Sequence, residues 1–368
     1  MRRVLILGGY GNFGGYIARI LAQDPAIQLI ISGRSQEKAN DFVAGLDAIN
    51  EALPAAIDIH KNLRPSLRQL KPDIVIHTSG PFQSQDYDVA KACMEAKAHY
   101  IDLADGRDFV SNIRSLDPLA KAKNRLLISG ASSVPCLTSS LIDHYQDQFK
   151  TLKSVQYGIT TAQKSNRGLA TTVAILGYTG KIIPTIAQGK EKRVYGWQDL
   201  HSRDFKGLGK RYLGNCDIPD LSLFPERYPD IETLRFYAGL EMPLVHWALW
   251  GLSWLVRSRI IQRLDRLAKP LLKISCLFDP FGTENSGFFM ELEGTNKSGN
   301  ALNIQFDLTA KSGDGPFIPC MPAVLLTRKL ASETLTDRGA YPCMGLITRN
   351  EYLEALGDLD IIWTETLT

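Results

Sequence analysis

The chain of 368 residues has little of several features that would fix its class at once. Its six cysteines form no CxxC pair and no cluster with histidine, so the sequence predicts neither a metal site nor a disulfide framework. No apolar run is long enough for a membrane span or a signal peptide, and no tract is of low complexity. A net charge of +3 does not suggest a nucleic-acid partner. A globular protein of a reducing cytoplasm is expected.

A glycine-rich turn follows the first apolar run. The chain begins MRR and VLIL, which is typical of a buried strand in a parallel sheet, and then reads GGYGNFG. This contains GxGxxG at Gly9, Gly11 and Gly14, and helical spacing of apolar residues follows. In such a turn Gly9 would allow the tight bend and Gly11 would let the backbone approach a pyrophosphate. Gly14 would let the helix pack closely on the strand. We predict a dinucleotide site in which these glycines and the Asn12-Phe13 turn bind the pyrophosphate.

The residues at the end of the second strand indicate which dinucleotide the protein binds. Residues 27–32 read IQLIIS, a mostly apolar strand, and run into Gly33, Arg34 and Ser35, about twenty residues after the glycines. An NAD site usually has an acidic residue there for the ribose 2′-hydroxyl, and none is present. Arg34 and Ser35 can bind a 2′-phosphate, with Lys38 one helical turn further on. These cations can also be ordinary solvated charges, but we predict NADP in preference to NAD.

Alternating strands and helices continue to about residue 133. The predicted strands are 55–59, 73–77, 99–103 and 125–128, with a helix at 87–95. This pattern predicts an α/β fold, with a Rossmann-type doubly wound parallel sheet over residues 1–133. Ligands bind at the carboxyl ends of the strands of such a sheet. The loop of Ser79, Gly80, Pro81 and Phe82 should therefore lie beside the nicotinamide ribose.

Candidate proton-transfer groups lie near the same strand ends. We predict His77, Tyr100 and Asp102 as the catalytic residues, with Asp105 and Cys136 as further candidates. None belongs to a diagnostic motif. A histidine in a buried strand is often a core residue, and Asp102 could equally cap the next helix.

Five segments together resemble the saccharopine dehydrogenase-like oxidoreductase family: GGYGNFG, the strand end SGR, the loop SGPF, HYIDLADG and GASSVPCLTSSL. The resemblance implies an NADP-binding domain and a second α/β domain that carries the substrate pocket, with late helices packing back towards the first. Members of this broad group act on secondary-amine bonds between amino acids or polyamines, and others are similar to lipid enoyl reductases. The C-terminal two thirds resemble only uncharacterised members, so the resemblance does not name the substrate.

The second domain is predicted to span residues 134–319. Residues 154–161 alternate like a strand, 170–183 suggest a helix, and 287–294 with 301–309 suggest a hairpin. We expect an α+β domain with a mixed or antiparallel sheet that binds substrate and forms a homodimer. An apolar helix at 323–330 predicts that a segment within 320–368 returns to the first domain.

Residues 243–273 are the most unusual stretch. Trp247, Trp250 and Trp254 fall on one face of a predicted helix, and five cations interleaved with apolar residues follow. We favour a helix that covers the substrate pocket or forms a dimer contact. The alternative is an amphipathic helix on an anionic membrane, which would give a cytoplasmic protein a peripheral membrane association.

The sequence supports two functional hypotheses. The first is an NADP-dependent oxidoreductase that transfers hydride to or from an imine, carbonyl or enoyl substrate bound between two domains. The alternative is a non-catalytic NADPH-binding regulatory or scaffold protein that docks to a membrane or partner through residues 243–273.

Overall fold

The computed structural model describes all residues from 1 to 368. The chain forms two compact units. The first unit contains Met1–Ser140 and Pro316–Ala355, and the second contains Leu141–Gly315 and Leu356–Thr368. The predicted boundary at residue 133 lies close to the one at Ser140.

Strands and helices are numbered along the chain. The strands are β1 (Arg2–Leu7), β2 (Ile27–Gly33), β3 (Leu53–Ala56), β4 (Ile74–His77), β5 (His99–Asp102), β6 (Leu126–Ser129), β7 (Phe149–Thr161), β8 (Ile182–Ala187), β9 (Lys190–Tyr195), β10 (His201–Phe205), β11 (Gly209–Asn215), β12 (Thr233–Leu240), β13 (Ser286–Asn296), β14 (Ala301–Ala310), β15 (Gly339–Pro342) and β16 (Ile361–Leu367). The helices are α1 (Asn12–Leu21), α2 (Gln36–Ala44), α3 (Leu63–Leu70), α4 (Asp88–Glu95), α5 (Arg107–Ser111), α6 (Asp117–Ala122), α7 (Thr138–Tyr145), α8 (Leu169–Tyr178), α9 (Asp220–Arg227), α10 (Pro243–Arg257), α11 (Ala268–Cys276), α12 (Met321–Ala331) and α13 (Arg349–Glu354). No helix is long and apolar enough to cross a membrane.

The first unit is built on a seven-stranded sheet in the order β15-β6-β5-β4-β1-β2-β3. All its strand pairs are parallel, which confirms the predicted α/β fold. The run VLIL in β1 is almost completely buried, as expected for a strand covered on both faces. The strand order reverses between β1 and β4, and the crevice at such a reversal is where ligands bind in sheets of this kind.

The late strand β15 completes the edge of this sheet beside β6. Gly339 pairs with Leu126, and the carboxylate of Asp117 on α6 accepts a hydrogen bond from the backbone N–H of Ala340 (3.0 Å). Lys121 pairs with the same carboxylate at 2.8 Å. Asp117 therefore attaches the returning segment to a helix of the first unit.

The second unit is built on a mixed nine-stranded sheet. Strands β7 and β12 are parallel, whereas β13 and β14 form the predicted antiparallel hairpin, which β16 extends. The helix predicted at 170–183 is wrong at its C-terminal end. Helix α8 ends at Tyr178, Gly180 adopts a left-handed conformation (φ +69°), and Ile182 already belongs to β8.

The single helix predicted over 243–273 is also wrong. Helix α10 ends at Arg257, and Arg259 adopts a left-handed conformation (φ +63°) that no α-helix accommodates. A short 3₁₀ turn at Leu264–Leu267 then leads into α11. The tryptophans and most of the cations therefore lie on different elements.

Replacing the carboxylate that holds β15 should destabilise the first unit. Asp117→Ala leaves the N–H of Ala340 without its acceptor, so we expect the free energy of unfolding to fall by about 1 to 2 kcal/mol. Chemical denaturation measures this loss. The control Lys121→Gln removes an exposed ion pair and a distant contact of the ammonium with the Tyr341 ring (5.9 Å), so a smaller loss is expected; equal losses in both variants would contradict this role of Asp117.

Candidate nucleotide-binding site

Gly9 lies inside the glycine-rich turn, which the N–H of Gly11 closes by donating to the carbonyl oxygen of Gly8 (2.9 Å), but the left-handed conformation falls one residue earlier, at Gly8. Gly8 has a φ of +83°, and a Cβ there would lie 2.7 Å from Oγ1 of Thr78. The backbone N–H groups of Gly8 and Gly9 both donate to the carbonyl oxygen of Ser32, at 2.9 and 2.8 Å. The sequence feature that could have indicated this conformation is the glycine at position 8, directly before the first glycine of the motif. The turn is thus fastened to β2 and leaves no space for a side chain.

Helix α1 packs directly on this turn. A Cβ at Gly14 would lie 2.2 Å from the carbonyl oxygen of Gly8, so only glycine fits there. Gly11 is the residue before the helix and provides no side-chain cap. The first-turn N–H groups of an α-helix have no partner within the helix, and Asn12 and Phe13 are the first two residues of α1. The turn therefore has the shape and polarity that suit a pyrophosphate.

The end of β2 carries the residues predicted to select the nucleotide. Arg34 is exposed and forms no ion pair, and Ser35 is half-buried. The Ser35 hydroxyl accepts a hydrogen bond from the N–H of Lys38 (3.3 Å), so it caps α2. The N–H of Ser35 donates to the Tyr10 hydroxyl (2.9 Å), a link from the glycine turn that sequence reasoning missed. A recess of about 460 Å³ beside this end is lined by Tyr10, Arg19 and Lys38, among others.

The loop after β4 lies against the glycine turn. A Cβ at Gly8 would be 2.8 Å from Oγ of Ser79, so the loop and the turn are in direct contact. Gln85 braces the loop by donating to the carbonyl oxygens of Ser79 (2.8 Å) and Pro81 (3.0 Å). Phe82 is only 4% exposed and packs edge-on against His77, so its ring points into the core. Ser79, Gly80 and Pro81 remain partly exposed.

The three predicted catalytic residues lie in the interior. His77, Tyr100 and Asp102 are each at most 1% exposed, and Nδ1 of His77 is 3.2 Å from the Tyr100 hydroxyl. Burial lowers the pKa of His77 to about 3, so its imidazole is neutral at physiological pH. Burial also raises the pKa of Tyr100. The structure brings the three together, and a role in proton transfer stays a prediction.

Asp102 joins the ends of two strands. One oxygen of its carboxylate accepts hydrogen bonds from the N–H groups of Ala104 and Gly130 (both 2.9 Å) and from the Ser129 hydroxyl (3.0 Å). Burial raises the pKa of Asp102 to about 6, although these donors favour the charged form and act in the opposite direction. In this structure the carboxylate positions the loops that follow β5 and β6.

Asp105 differs from the other candidates because it is exposed. It follows β5, and its carboxylate accepts a hydrogen bond from Nε2 of Gln83 (3.0 Å), which follows the loop after β4. Cys136, in contrast, is 2% exposed. Asp105 is therefore the exposed residue among the candidates on these strand ends, although the surrounding protein desolvates its carboxyl group and raises its pKa.

Comparisons with known proteins agree with this architecture. Residues 4–137 match the family model of the saccharopine dehydrogenase NADP binding domain. The fold is similar to apo saccharopine dehydrogenase (L-Glu forming) from Saccharomyces cerevisiae, with a TM-score of 0.70, 13% identity and coverage of 100% of both chains. It is also similar to homospermidine synthase from Legionella pneumophila in complex with NAD, with a TM-score of 0.57, 10% identity and coverage of 99% of this chain and 91% of the other. No curated protein matches the sequence.

The glycine turn, the parallel sheet and the family match define a protein with an NAD(P)-binding Rossmann domain. Residues 4–137 match the family of saccharopine dehydrogenase NADP binding domains, and the fold of the whole chain is similar to that of saccharopine dehydrogenase. The two structural similarities are at low identity and show the fold alone.

The buried histidine should make stability depend on pH. His77 stays neutral in the folded protein down to about pH 3, whereas an unfolded histidine takes up a proton near pH 6.5. Between these two pH values the unfolded chain binds more protons than the folded protein. As the pH is lowered below 6.5, His77 therefore reduces the free energy of unfolding by about 1.4 kcal/mol per pH unit.

The variant His77→Gln should lack this pH-dependent loss of stability. The free energy of unfolding of the variant and of the wild type is measured by denaturation at a series of pH values from 7 to about 4, and the difference gives the contribution of His77. The matched control is His144→Gln, because His144 is exposed and, unlike His60, does not contribute to the lowered pKa of His77. If the wild type and His77→Gln lost stability in parallel on acidification, the neutral state assigned to His77 would be wrong.

Proposed function

We propose that this protein is an NADP-dependent oxidoreductase that acts on an imine, carbonyl or enoyl substrate. The observation that supports this most directly is the turn from Gly8 to Gly14, in which Gly8 and Gly14 leave no room for a side chain and α1 begins without a side-chain cap. The residues present fit a dinucleotide, because the pyrophosphate needs close backbone approach and N–H donors. When bound, the nicotinamide supplies or accepts a hydride.

The preference for NADP rests on the end of β2. Arg34 is exposed there without an ion-pair partner, Lys38 is exposed one turn further on, and no acidic residue stands at the strand end. A guanidinium can hold a phosphate through two hydrogen bonds, whereas a ribose 2′-hydroxyl gains little from it. Ser35 already caps α2, so its contribution to the 2′-phosphate would come from a hydroxyl that keeps this second role.

Substitution of Arg34 should separate the two nucleotides. Arg34→Ala removes a charged donor, so we expect NADPH affinity to fall about 10- to 100-fold and NADH affinity to stay nearly constant. Calorimetric titration with NADPH, NADP, NADH and NAD measures both. Arg68→Ala, an exposed arginine on α3, is the control and should change neither. Equal losses for NADPH and NADH in Arg34→Ala would contradict the assignment of the 2′-phosphate.

The exposed and buried polar groups have different proposed roles. His77, Tyr100 and Asp102 hold the strand ends from inside, and any part they have in proton transfer must pass through another group because none reaches solvent. Asp105 is exposed beside the loop after β4, so we propose that it contacts substrate and handles the proton. Gln83 orients its carboxylate.

Asp105→Asn should therefore lower turnover without lowering nucleotide affinity. General acid–base groups contribute about 10²- to 10⁴-fold, so a loss of kcat in this range is expected with unchanged NADPH binding. The control is Asp108→Asn, a nearby exposed carboxylate on α5. The kcat and its pH profile are measured for each variant, and unchanged values for Asp105→Asn would exclude the role.

The enzyme proposal is tested by NADPH consumption with mixtures of oxoacids and amines, with ketones and aldehydes, and with enoyl thioesters. Turnover on one class supports the proposal and identifies the chemistry. Tight NADPH binding without turnover on any class would contradict it and favour the regulatory alternative. Absence of nucleotide binding would overturn both.

A further inference from the structure

A largely apolar cavity lies within the second unit, in its helical layer. It has a volume of about 260 Å³ and is enclosed by α8, α10 and α11. Its walls include Ile175 and Leu176 from α8, Leu249 and Leu252 from α10, and Leu272 from α11. Apolar walls hold water poorly and accept apolar molecules. The cavity uses none of the residues assigned to the nucleotide.

One part of the cavity wall is polar. Gln163 and Arg167 both line it, and Nε2 of Gln163 is occupied by the Ser275 carbonyl oxygen and by Asp279 (both 2.8 Å). Arg167 pairs with Asp279 through one terminal nitrogen, but its buried Nε has no hydrogen-bond partner. A buried donor without an acceptor is costly, and an anionic or carbonyl oxygen of a ligand would satisfy it. The wall thus suits an amphiphile, with a long apolar part and one oxygen-bearing group.

The cavity rim is continuous with an exposed apolar surface. Leu244 and Ile274 line the cavity and are still 62% and 53% exposed. Residues 243–281 contain nine of the sixteen exposed large apolar side chains of the whole chain, namely Leu244, Trp247, Trp254, Leu255, Ile260, Leu267, Ile274, Leu277 and Phe281. So dense a group is unusual for a surface in contact with water alone.

The charge of the same segment favours one occupant. Residues 243–281 contain six Lys and Arg and two Asp, and both aspartates are paired with arginine. Arg259, Arg266, Lys269 and Lys273 have no ion-pair partner. A second copy joined by two-fold symmetry would place these cations opposite one another, which is unfavourable. An anionic bilayer complements both the cations and the apolar side chains.

We propose that the cavity between α8, α10 and α11 binds one hydrocarbon chain of an anionic lipid, and that residues 243–281 rest on the bilayer that supplies it. Leu244 and Ile274 form the entrance, so a chain passes from bilayer to cavity without crossing water. The proposal is independent of the nucleotide site.

The cavity is tested with cis-parinaric acid, whose fluorescence rises when its chain leaves water. Ala248 lines the cavity but is exposed, so Ala248→Trp fills space without displacing buried residues. We expect saturable binding to the wild type, weaker by about tenfold or more in Ala248→Trp. The matched control Leu255→Trp adds the same ring on the same helix outside the cavity and should bind like the wild type.

Thermal unfolding verifies that both variants are folded. If the wild type bound no parinaric acid saturably, or if both tryptophan variants bound it equally well, the cavity assignment would be overturned.

The bilayer is tested by flotation with vesicles of phosphatidylcholine, alone or mixed with phosphatidylglycerol. We expect the wild type to float only with the anionic vesicles, and the double variant Arg266→Glu with Lys269→Glu to lose this binding by about tenfold or more. The control is Lys190→Glu with Lys192→Glu, which changes charge equally on β9, where both side chains are exposed. Equal flotation with both vesicle types, equal loss in both double variants, or self-association without flotation would overturn the bilayer assignment.

Discussion

The carbonyl oxygen of Gly8 limits the size of the residues that can pack around it. A Cβ at Gly11 would approach it to 3.0 Å and one at Gly14 to 2.2 Å, so the start of α1 can lie against the turn only because Gly14 lacks a side chain, and Gly11 leaves little room for one. The N–H groups of Gly8 and Gly9 hold the same turn to Ser32 in β2, and Ser79 of the loop after β4 contacts it from the other side. One turn therefore sets the positions of a helix start, a strand end and a loop, which are the three parts that a dinucleotide site needs.

Polar groups at the carboxyl ends of the strands divide by burial. Asp102 is fully buried and satisfies donors from Ala104, Ser129 and Gly130, so its hydrogen bonds order backbone that follows β5 and β6. Burying a carboxylate is costly, which is why its pKa rises to about 6 even with these donors present. Asp105, three residues later, is an exposed residue, although partial desolvation of its carboxyl group raises its pKa. Asp102 thus has a structural role in the site, whereas Asp105, only three residues later, is accessible to a ligand.

The first unit could be predicted from sequence to a large extent, because its strands are short apolar runs that are buried on both faces and its glycine motif has a strict geometry. The second unit could be predicted only in part, through β7 and the hairpin of β13 and β14. Strand β9 reads KEKRVY and is mostly exposed, so it shows no alternation that would predict a strand. In the returning segment of the first unit, strand β15 reads GAYP, and both glycine and proline argue against a strand. The break after α10 depends on a positive φ at Arg259, a residue with no preference for that conformation.

The candidate site was predictable in its residue types and less so in their roles. The sequence indicated Ser35 as a phosphate ligand, but its hydroxyl also caps α2, and no pattern predicted that Tyr10 would bond to its N–H. Phe82 occurs in the expected loop, yet its ring fills the core beside His77.

The three tryptophans of α10 also show that a sequence pattern predicts the positions of side chains better than their environment. Trp247 packs against Tyr212 and Trp250 against Trp254, but Trp247 and Trp254 remain 50% and 44% exposed. Helical spacing predicts that side chains share a face, and only the neighbouring elements decide whether that face is covered. Because α11 buries only Ala268, the helical layer leaves most of its apolar side chains available to something outside the chain.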